Sequence, residues 1–272
     1  MTDSQKSIYT KDDLIAHLRK MNAPRGGVVL VHGSLRSVGQ INGGGEALLD
    51  ALIEYFTEDG GILAVATHTW LNLGKEITLD LGDSKTSLGA LANIAAADPR
   101  GIRTRNPSHS VALFGDKEKC LALAEGEDRI TTPTSAESFY GKLYKTGGHI
   151  LLIGVGQERN TYLHSVEEML AIPDRMGGEP YTVRIKDKDG RITEGKLTLY
   201  KSGCCDDVSL RFPKFEEALR YHRAVIGGYI GNAYSRVVSA VGAYETLKLI
   251  YSRAEKDPLA DESQISPKLY VL

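Results

Sequence analysis

Aliphatic runs bracketed by glycine alternate along the chain with stretches of helical period. "TKDDLIAHLRKM" places Leu14, Ile15 and Leu18 on one stripe behind Thr10, a natural N-cap, and predicts a helix. "GGVVLVHGSL" follows as a buried strand, and "GGGEALLDALIEYF" as a glycine entry into an amphipathic helix. "GGILAVATHTW" predicts a second buried strand, "SLGALANIAAA" a helix with Pro99 beyond its end, and "SVALFG" a short strand. "GGHILLIGVG" is a further buried strand, and "TYLHSVEEMLAI" the helix after it, stopped by Pro173. "YTVRIKDKDGRITEGKLTLY" breaks the rhythm: it alternates by twos around Asp189-Gly190 and predicts an antiparallel hairpin with one wet face. "PKFEEALRYHRAVIG" and "AYETLKLIYSRAEKDP" then read as helices. The alternation predicts an α/β fold: one layered α/β/α domain over residues 1–272, with a mainly parallel central sheet and an added antiparallel hairpin.

The 272 residues suffice for a full core, and 42% hydrophobic with 25% charged residues is globular composition. A formal net charge of −2 without a polybasic block gives no general attraction to nucleic acid or anionic lipid. Three cysteines, Cys120, Cys204 and Cys205, are an odd set with an adjacent pair and no CxxC spacing, so neither a disulfide framework nor a thiolate zinc site is expected. The polar start "MTDSQKSIYTKDDL" lacks a signal-peptide core, and no run reaches about 18 apolar residues, the length of a membrane span. A reducing cytoplasm is the expected compartment. No exposed apolar stripe marks a subunit interface, although a homodimer is compatible with the sequence.

Four places carry polar chemistry at the ends of strands. In "VHGSLRSVGQINGGGEALL", a loop with His32, Ser34 and Ser37 leads to Gly43, Gly44 and Gly45, which open a helix. Helix-start N–H groups suit a phosphate; the plainer alternative is a tight turn that needs glycine. Walker A is absent, and Gly154-Val155-Gly156 lacks the third glycine of a dinucleotide fingerprint. "QINGGG" fits a loose acetyl-CoA motif of the GCN5-related acetyltransferases, but it is short and too near the N-terminus for their order. "ATHTWL" ends a strand in Thr67, His68 and Thr69, where the two threonine hydroxyls could stabilise an oxyanion or simply suit a strand end. In "RTRNPSHSVALFG", His109 and Ser110 lie where a loop enters a strand; taken alone this is a solvated histidine beside a Pro-Ser turn. In "NTYLHSVEEML", both Glu167 and Glu168 lie within one turn of His164. A carboxylate on one ring nitrogen fixes the tautomer and leaves the other nitrogen as a base. The helix follows a buried strand through a glycine loop, which puts its first turn at the ligand edge of a sheet.

In order, "VHGSLRSVG…GGG", "ATHTW", "RNPSHSVALFG", "YGKLYKTGGHILLIGVG" and "NTYLHSVEE" resemble the aminoglycoside 3-N-acetyltransferase family over about residues 28–170; "GCC" (203–205) and "IGNAYSRVVSA" (230–240) match more loosely. The resemblance implies a fold distinct from the GCN5-related one and transfer of acetyl from acetyl-CoA to a primary amine, without a metal. The family's ThrxxHisxxGlu element falls on Thr161, His164 and Glu167, which selects Glu167 as the orienting carboxylate and His164 as the base. The resemblance further implies a coenzyme site at His32, Gly33, Ser34, Leu35, Val38, Gly43, Gly44, His109, Ser110 and Val111, with Thr67 as donor to the thioester oxygen. Gly33, Ala66 and Asn106 depart from the family's usual serine, proline and histidine. Acids for a polycationic antibiotic would come from Asp187, Asp189, Asp206 and Asp207 near the hairpin. The acceptor could equally be a metabolic amine. A CoA-thioester hydrolase using the same His–Glu pair, or a CoA-binding regulator without turnover, are the rival classes.

Overall fold

The computed structural model of the chain describes residues 8–83, 85–201, 205 and 207–272. Cys204 and Asp206 lie outside the described residues. Strand β1 (Ile8–Tyr9) leads into helix α1 (Lys11–Lys20). Thr10 caps that helix as the sequence predicts: its hydroxyl accepts from the Asp13 N–H at 3.2 Å, and the Asp13 carboxylate accepts from the Thr10 N–H at 2.8 Å. There follow β2 (Val28–Gly33), α2 (Leu35–Val38), β3 (Gln40–Ile41), α3 (Gly44–Thr57) and β4 (Ile62–Ala66). Next come β5 (Leu79–Asp80), α4 (Ala90–Ala97), β6 (Ile102–Arg103), β7 (Val111–Phe114), α5 (Lys117–Ala124) and α6 (Phe139–Lys145). The chain continues through β8 (His149–Ile153), α7 (Tyr162–Met169), β9 (Tyr181–Lys186) and β10 (Ile192–Leu197). It closes with α8 (Glu216–Tyr221), β11 (Val225–Ile230), β12 (Ala233–Ser239) and α9 (Ala240–Arg253).

The main sheet has the order β11-β12-β8-β2-β4-β7-β6. Only its centre is parallel, where β2 pairs with both β8 and β4; every outer pairing is antiparallel. The expectation of a mainly parallel sheet is therefore corrected to a mixed one. Two short connections cause this. Residues 104–110 turn β6 straight back into β7, and a two-residue loop at Gly231-Asn232 joins β11 to β12. Gly231 sits at φ 57, which suits the first position of a II′ hairpin turn, and a Cβ there would stand 2.3 Å from the Val38 carbonyl. The helix read through "RAVIG" is likewise corrected. α8 stops at Tyr221, and Val225 begins a strand.

Both sheet faces are buried, which explains the continuous aliphatic runs of the central strands. Val28 and Leu30, Ile62 and Ala64, and Ile150 and Leu152 face α5 to α9 on one side. Val29 and Val31, Leu63 and Val65, and Leu151 and Ile153 face α1, α3 and α4 on the other. The predicted hairpin forms between β9 and β10, with Gly190 at φ 88 in its loop, and it joins β5 in a separate small sheet. Among the described residues no helix is long and apolar enough to cross a membrane.

Candidate active site

The three parallel strands end side by side, and the loops that leave them enclose a cavity of about 560 Å³. Crevices beyond the carboxyl ends of parallel strands are the usual ligand positions in α/β sheets. His32 and Gly33 reach it from β2, Ala66 from the end of β4, His68 and Trp70 from beyond that strand, and Asn160, Thr161 and His164 from beyond β8. His109 enters from the loop before β7, and Tyr200 from the segment after β10.

Four histidines line this space. His68 and His109 have ring centroids 4.5 Å apart, and His32 meets His68 edge-on at 5.8 Å. Nε2 of His68 bonds the Tyr140 hydroxyl at 2.7 Å, and Nδ1 of His109 bonds the Ser108 hydroxyl at 2.8 Å. His109 is 8% exposed, so it is not the solvated turn histidine of the plainer sequence reading. Asn106, which stands where the family usually has histidine, accepts from the backbone N–H of His109 at 2.8 Å and fixes that loop. Burial disfavours imidazolium. It pushes His32 down to about 4, and His109 to about 3 with His164 and His32 adding repulsion. Burial, then the neighbouring His109, His32 and His164, place His68 well below the ordinary value. The histidine wall is uncharged at neutral pH.

His164 lies in the first turn of α7. Its ring stacks on Tyr200 at 4.0 Å and 16°, and Phe212 meets it edge-on at 4.8 Å. Burial and then Arg175 lower its pKa to about 3. Nδ1 of His164 stands 4.0 Å from Oε2 of Glu167, a near approach longer than a hydrogen bond. Glu168 turns the other way, accepting from the hydroxyls of Thr132 and Thr134. Glu167 is 1% exposed, and its Oε1 accepts from Arg175 Nε at 2.7 Å and from the Tyr251 hydroxyl at 2.8 Å. Arg175 in turn reaches Asp257 at 2.9 Å.

Some expected residues fall elsewhere. Thr67 is fully buried with its hydroxyl 3.0 Å from that of Ser110, and neither lines the cavity. Alternation at the strand end turns Ala66 and His68 inward and Thr67 away, so the Thr67 hydroxyl does not face the space a thioester would fill. Ser34 caps α2, accepting from the Ser37 N–H at 3.3 Å. Leu35 packs at the edge of the core, and Val38 and Val111 lie within it. Gly43 and Gly44 start α3 at positive φ, outside the cavity lining. Gly33 does line it; a Cβ there would stand 3.2 Å from that of Ile153, a tight approach that glycine avoids. Asp187 pairs with Arg105 and Arg191, and it and Asp189 border a different cleft. Asp207 lines the main cavity but spends its carboxylate on Ser209, 2.9 Å from the N–H. His68, Tyr200 and Arg175 were missed in the sequence. The strand alternation that excludes Thr67 could have found His68; no periodicity links Tyr200 or Arg175 to α7.

The model of the family described as aminoglycoside 3-N-acetyltransferase matches residues 30–251. The chain belongs to this family of acyltransferases. The family member from Salmonella sp named aminoglycoside N(3)-acetyltransferase IV is 27% identical over 238 residues, covering 85% of this chain and 82% of that protein. The fold is similar to the crystal structure of a histidine-to-alanine mutant of aminoglycoside acetyltransferase AAC(3)-IVa in complex with a gentamicin. There the TM-score is 0.77 at 24% identity, covering 98% of this chain and 95% of the other. It is also similar to AAC-IIIb in its binary complex with CoASH, with a TM-score of 0.72 at 20% identity over 93% of this chain and 100% of that one.

Proposed function

We propose that the chain, acting as one catalytic domain over residues 1–272 in the cytoplasm, transfers acetyl from acetyl-CoA to the 3-amino group of an aminoglycoside, with His164 as general base. The observation that carries this is His164 itself: a neutral imidazole at the cavity wall, clamped by Tyr200 and 4.0 Å from the Glu167 carboxylate. A relative bearing the family name and a similar fold holding CoASH support the coenzyme. The cavity offers it a mixed surface, with the buried Nε2 of His32 still without a protein partner at the wall. Ser34 and the helix-start residues Gly43 and Gly44 are assigned to its anionic end by family likeness, with the N–H groups of α3 as the physical warrant.

Acetyl-CoA supplies an activated acetyl group. An alkylammonium has no lone pair until it gives one proton to solvent; His164 takes a second proton from the nitrogen of the neutral amine as that nitrogen bonds the acetyl carbon. The carbon–sulfur bond breaks, and the same proton passes to the departing sulfur. Glu167 closes on Nδ1–H as charge builds on the ring. Base assistance of this kind is worth about two to four orders of magnitude, and fixing both substrates supplies much of the remainder. No step calls on a metal.

The wall charge favours a second acceptor class. Among the described residues the carboxylates lining the cavity are Glu158 and Asp207, set against Arg159. A polycationic antibiotic gains most from several facing carboxylates, so a simpler metabolic amine fits this balance as well. A free-thiol release assay with acetyl-CoA, across a panel of aminoglycosides and simple amines, decides between them. His164→Ala should lower turnover by about two to four orders of magnitude with coenzyme affinity unchanged. Undiminished turnover would reject the base assignment, and thiol release without any amine would make the protein a thioesterase.

A further inference from the structure

Glu167 does not serve His164 alone. Its Oε1 accepts from two donors: the buried Arg175, 3% exposed, at 2.7 Å, and the half-buried Tyr251 hydroxyl at 2.8 Å. Its Oε2 is buried, has no hydrogen-bond partner, and is the oxygen that stands 4.0 Å from His164 Nδ1. Arg175 lies beyond Pro173 in the loop after α7. Its Nη2 reaches Asp257, 2.9 Å away in the loop after α9, and the Tyr251 hydroxyl at 3.3 Å.

Among the described residues the other groups around the ring are uncharged or already engaged. Tyr200, stacked on it, donates its hydroxyl to Thr134 at 2.6 Å, and Phe212 is apolar. His109 and His68 face it across the cavity and are kept neutral by burial. Glu168 spends both oxygens on Thr132 and Thr134, and Asp207 at the cavity wall is held by Ser209. Burial does most to keep His164 neutral and Arg175 adds to it; among the described residues the charges nearest the ring are therefore Glu167 and Arg175, with Asp257 balancing the far side of the guanidinium.

We propose that Arg175 is a positioning residue for the acetyl transfer, holding one oxygen of Glu167 so that the other faces His164 without drawing a proton onto the ring. This rests on His164 being the base. A lone buried carboxylate beside an imidazole favours imidazolium, because the pair then shares its charge. That ring would carry protons on both nitrogens and could accept none. A guanidinium on the carboxylate satisfies it first, so the imidazole stays neutral and is still oriented. Arginine suits the task because its planar fork engages Glu167 through Nε and Asp257 through Nη2 at once, which an ammonium on a flexible stem cannot do in fixed geometry.

The test is the histidine titration of the full chain by NMR, with the His164 signals assigned by their loss in His164→Ala. In the wild type His164 stays neutral down to about pH 3. In Arg175→Gln its transition should rise by at least about one pH unit, a tenfold gain in proton affinity, and the acid limb of kcat/KM should rise with it. Arg175→Lys, which keeps the charge without the fork, should bring the transition only part of the way back. A folded Arg175→Gln protein whose His164 transition stays at the wild-type value overturns the proposal and leaves Arg175 a structural ion pair. If Arg175→Gln does not fold, Tyr251→Phe removes one donor from Oε1 with little change of shape. It should shift the transition upward in the same sense, and no shift there overturns the proposal as well. The titration needs no turnover, so the two readings separate. A shifted ring in a protein that acetylates no amine keeps the coupling and rejects the transfer; an active enzyme whose ring ignores Arg175 does the reverse.

Discussion

Lowering the pH from 7 to 5 will remove stability from this fold, and the cavity histidines set the amount. His32 and His109 are 7% and 8% exposed, and the His164 side chain 13%. Unfolded, each imidazole titrates near 6.5; folded, burial lowers His32 to about 4 and His109 and His164 to about 3. The folded values lie below the unfolded one. The neutral form is thus the one the fold favours, its stabilisation is present above pH 6.5, and it drains away as the pH falls toward 3–4. Between pH 7 and pH 5 each of the three contributes a loss of about 2 kcal/mol, and His68 acts in the same direction. Glu127 opposes them, and Glu167 and Glu168, whose carboxyls burial also raises, act in its direction. Burial raises the Glu127 carboxyl to about 7, so on acidification the folded chain takes up a proton that the unfolded chain does not. That returns about 2 kcal/mol. The three histidines and Glu127 together leave a loss of about 4 kcal/mol, a large share of the roughly 5–15 kcal/mol that holds a domain together. Urea unfolding at pH 7, 6 and 5 measures it, and His164→Ala should lose about 2 kcal/mol less than the wild type over the same interval. A stability independent of pH across this range, or an identical slope in His164→Ala, would refute the placement of neutral imidazoles in the cavity wall.

Gly231→Ala should destabilise by about 1–3 kcal/mol, the range for a side chain forced into positive φ, because its φ is 57 and the added methyl meets the Val38 carbonyl; an unchanged thermal midpoint would show that the hairpin can flip to another turn. Trp70 is the single tryptophan, 43% exposed at the cavity rim, so saturating acetyl-CoA should change its fluorescence. A flat titration alongside calorimetric binding would put the coenzyme elsewhere.

The layers were legible because the central strands are buried on both faces and so read as uninterrupted aliphatic runs. The parallel centre, the capped first helix and the hairpin at Asp189-Gly190 all follow from local signals. β11 and β12 were not legible. "VIGGYI" has two glycines and little alternation, and it follows a true helix that ends without a glycine cap, so the helical pattern overruns its real end. At the site, His164 and Glu167 share one turn of one helix, a spacing visible in sequence. Their partners are not. Arg175, Tyr200 and Tyr251 come from three further segments, and only the folded chain brings them within 4 Å. Thr67 stays out of the cavity lining for a smaller reason: one residue of register at a strand end decides which side chain faces the cavity.

The imidazole of His164 is gripped by parts of the chain under unlike constraints. Its backbone hangs from α7 on the densely packed sheet, where most substitutions disturb the core. Its aromatic bearing, Tyr200 and Phe212, comes from the stretch that follows the hairpin. Under the proposed transfer, changes of sequence in that stretch reshape what the acceptor meets while His164 and Glu167 keep their place on α7. A lineage built on this plan has room to exchange one amine for another without reinventing the chemistry.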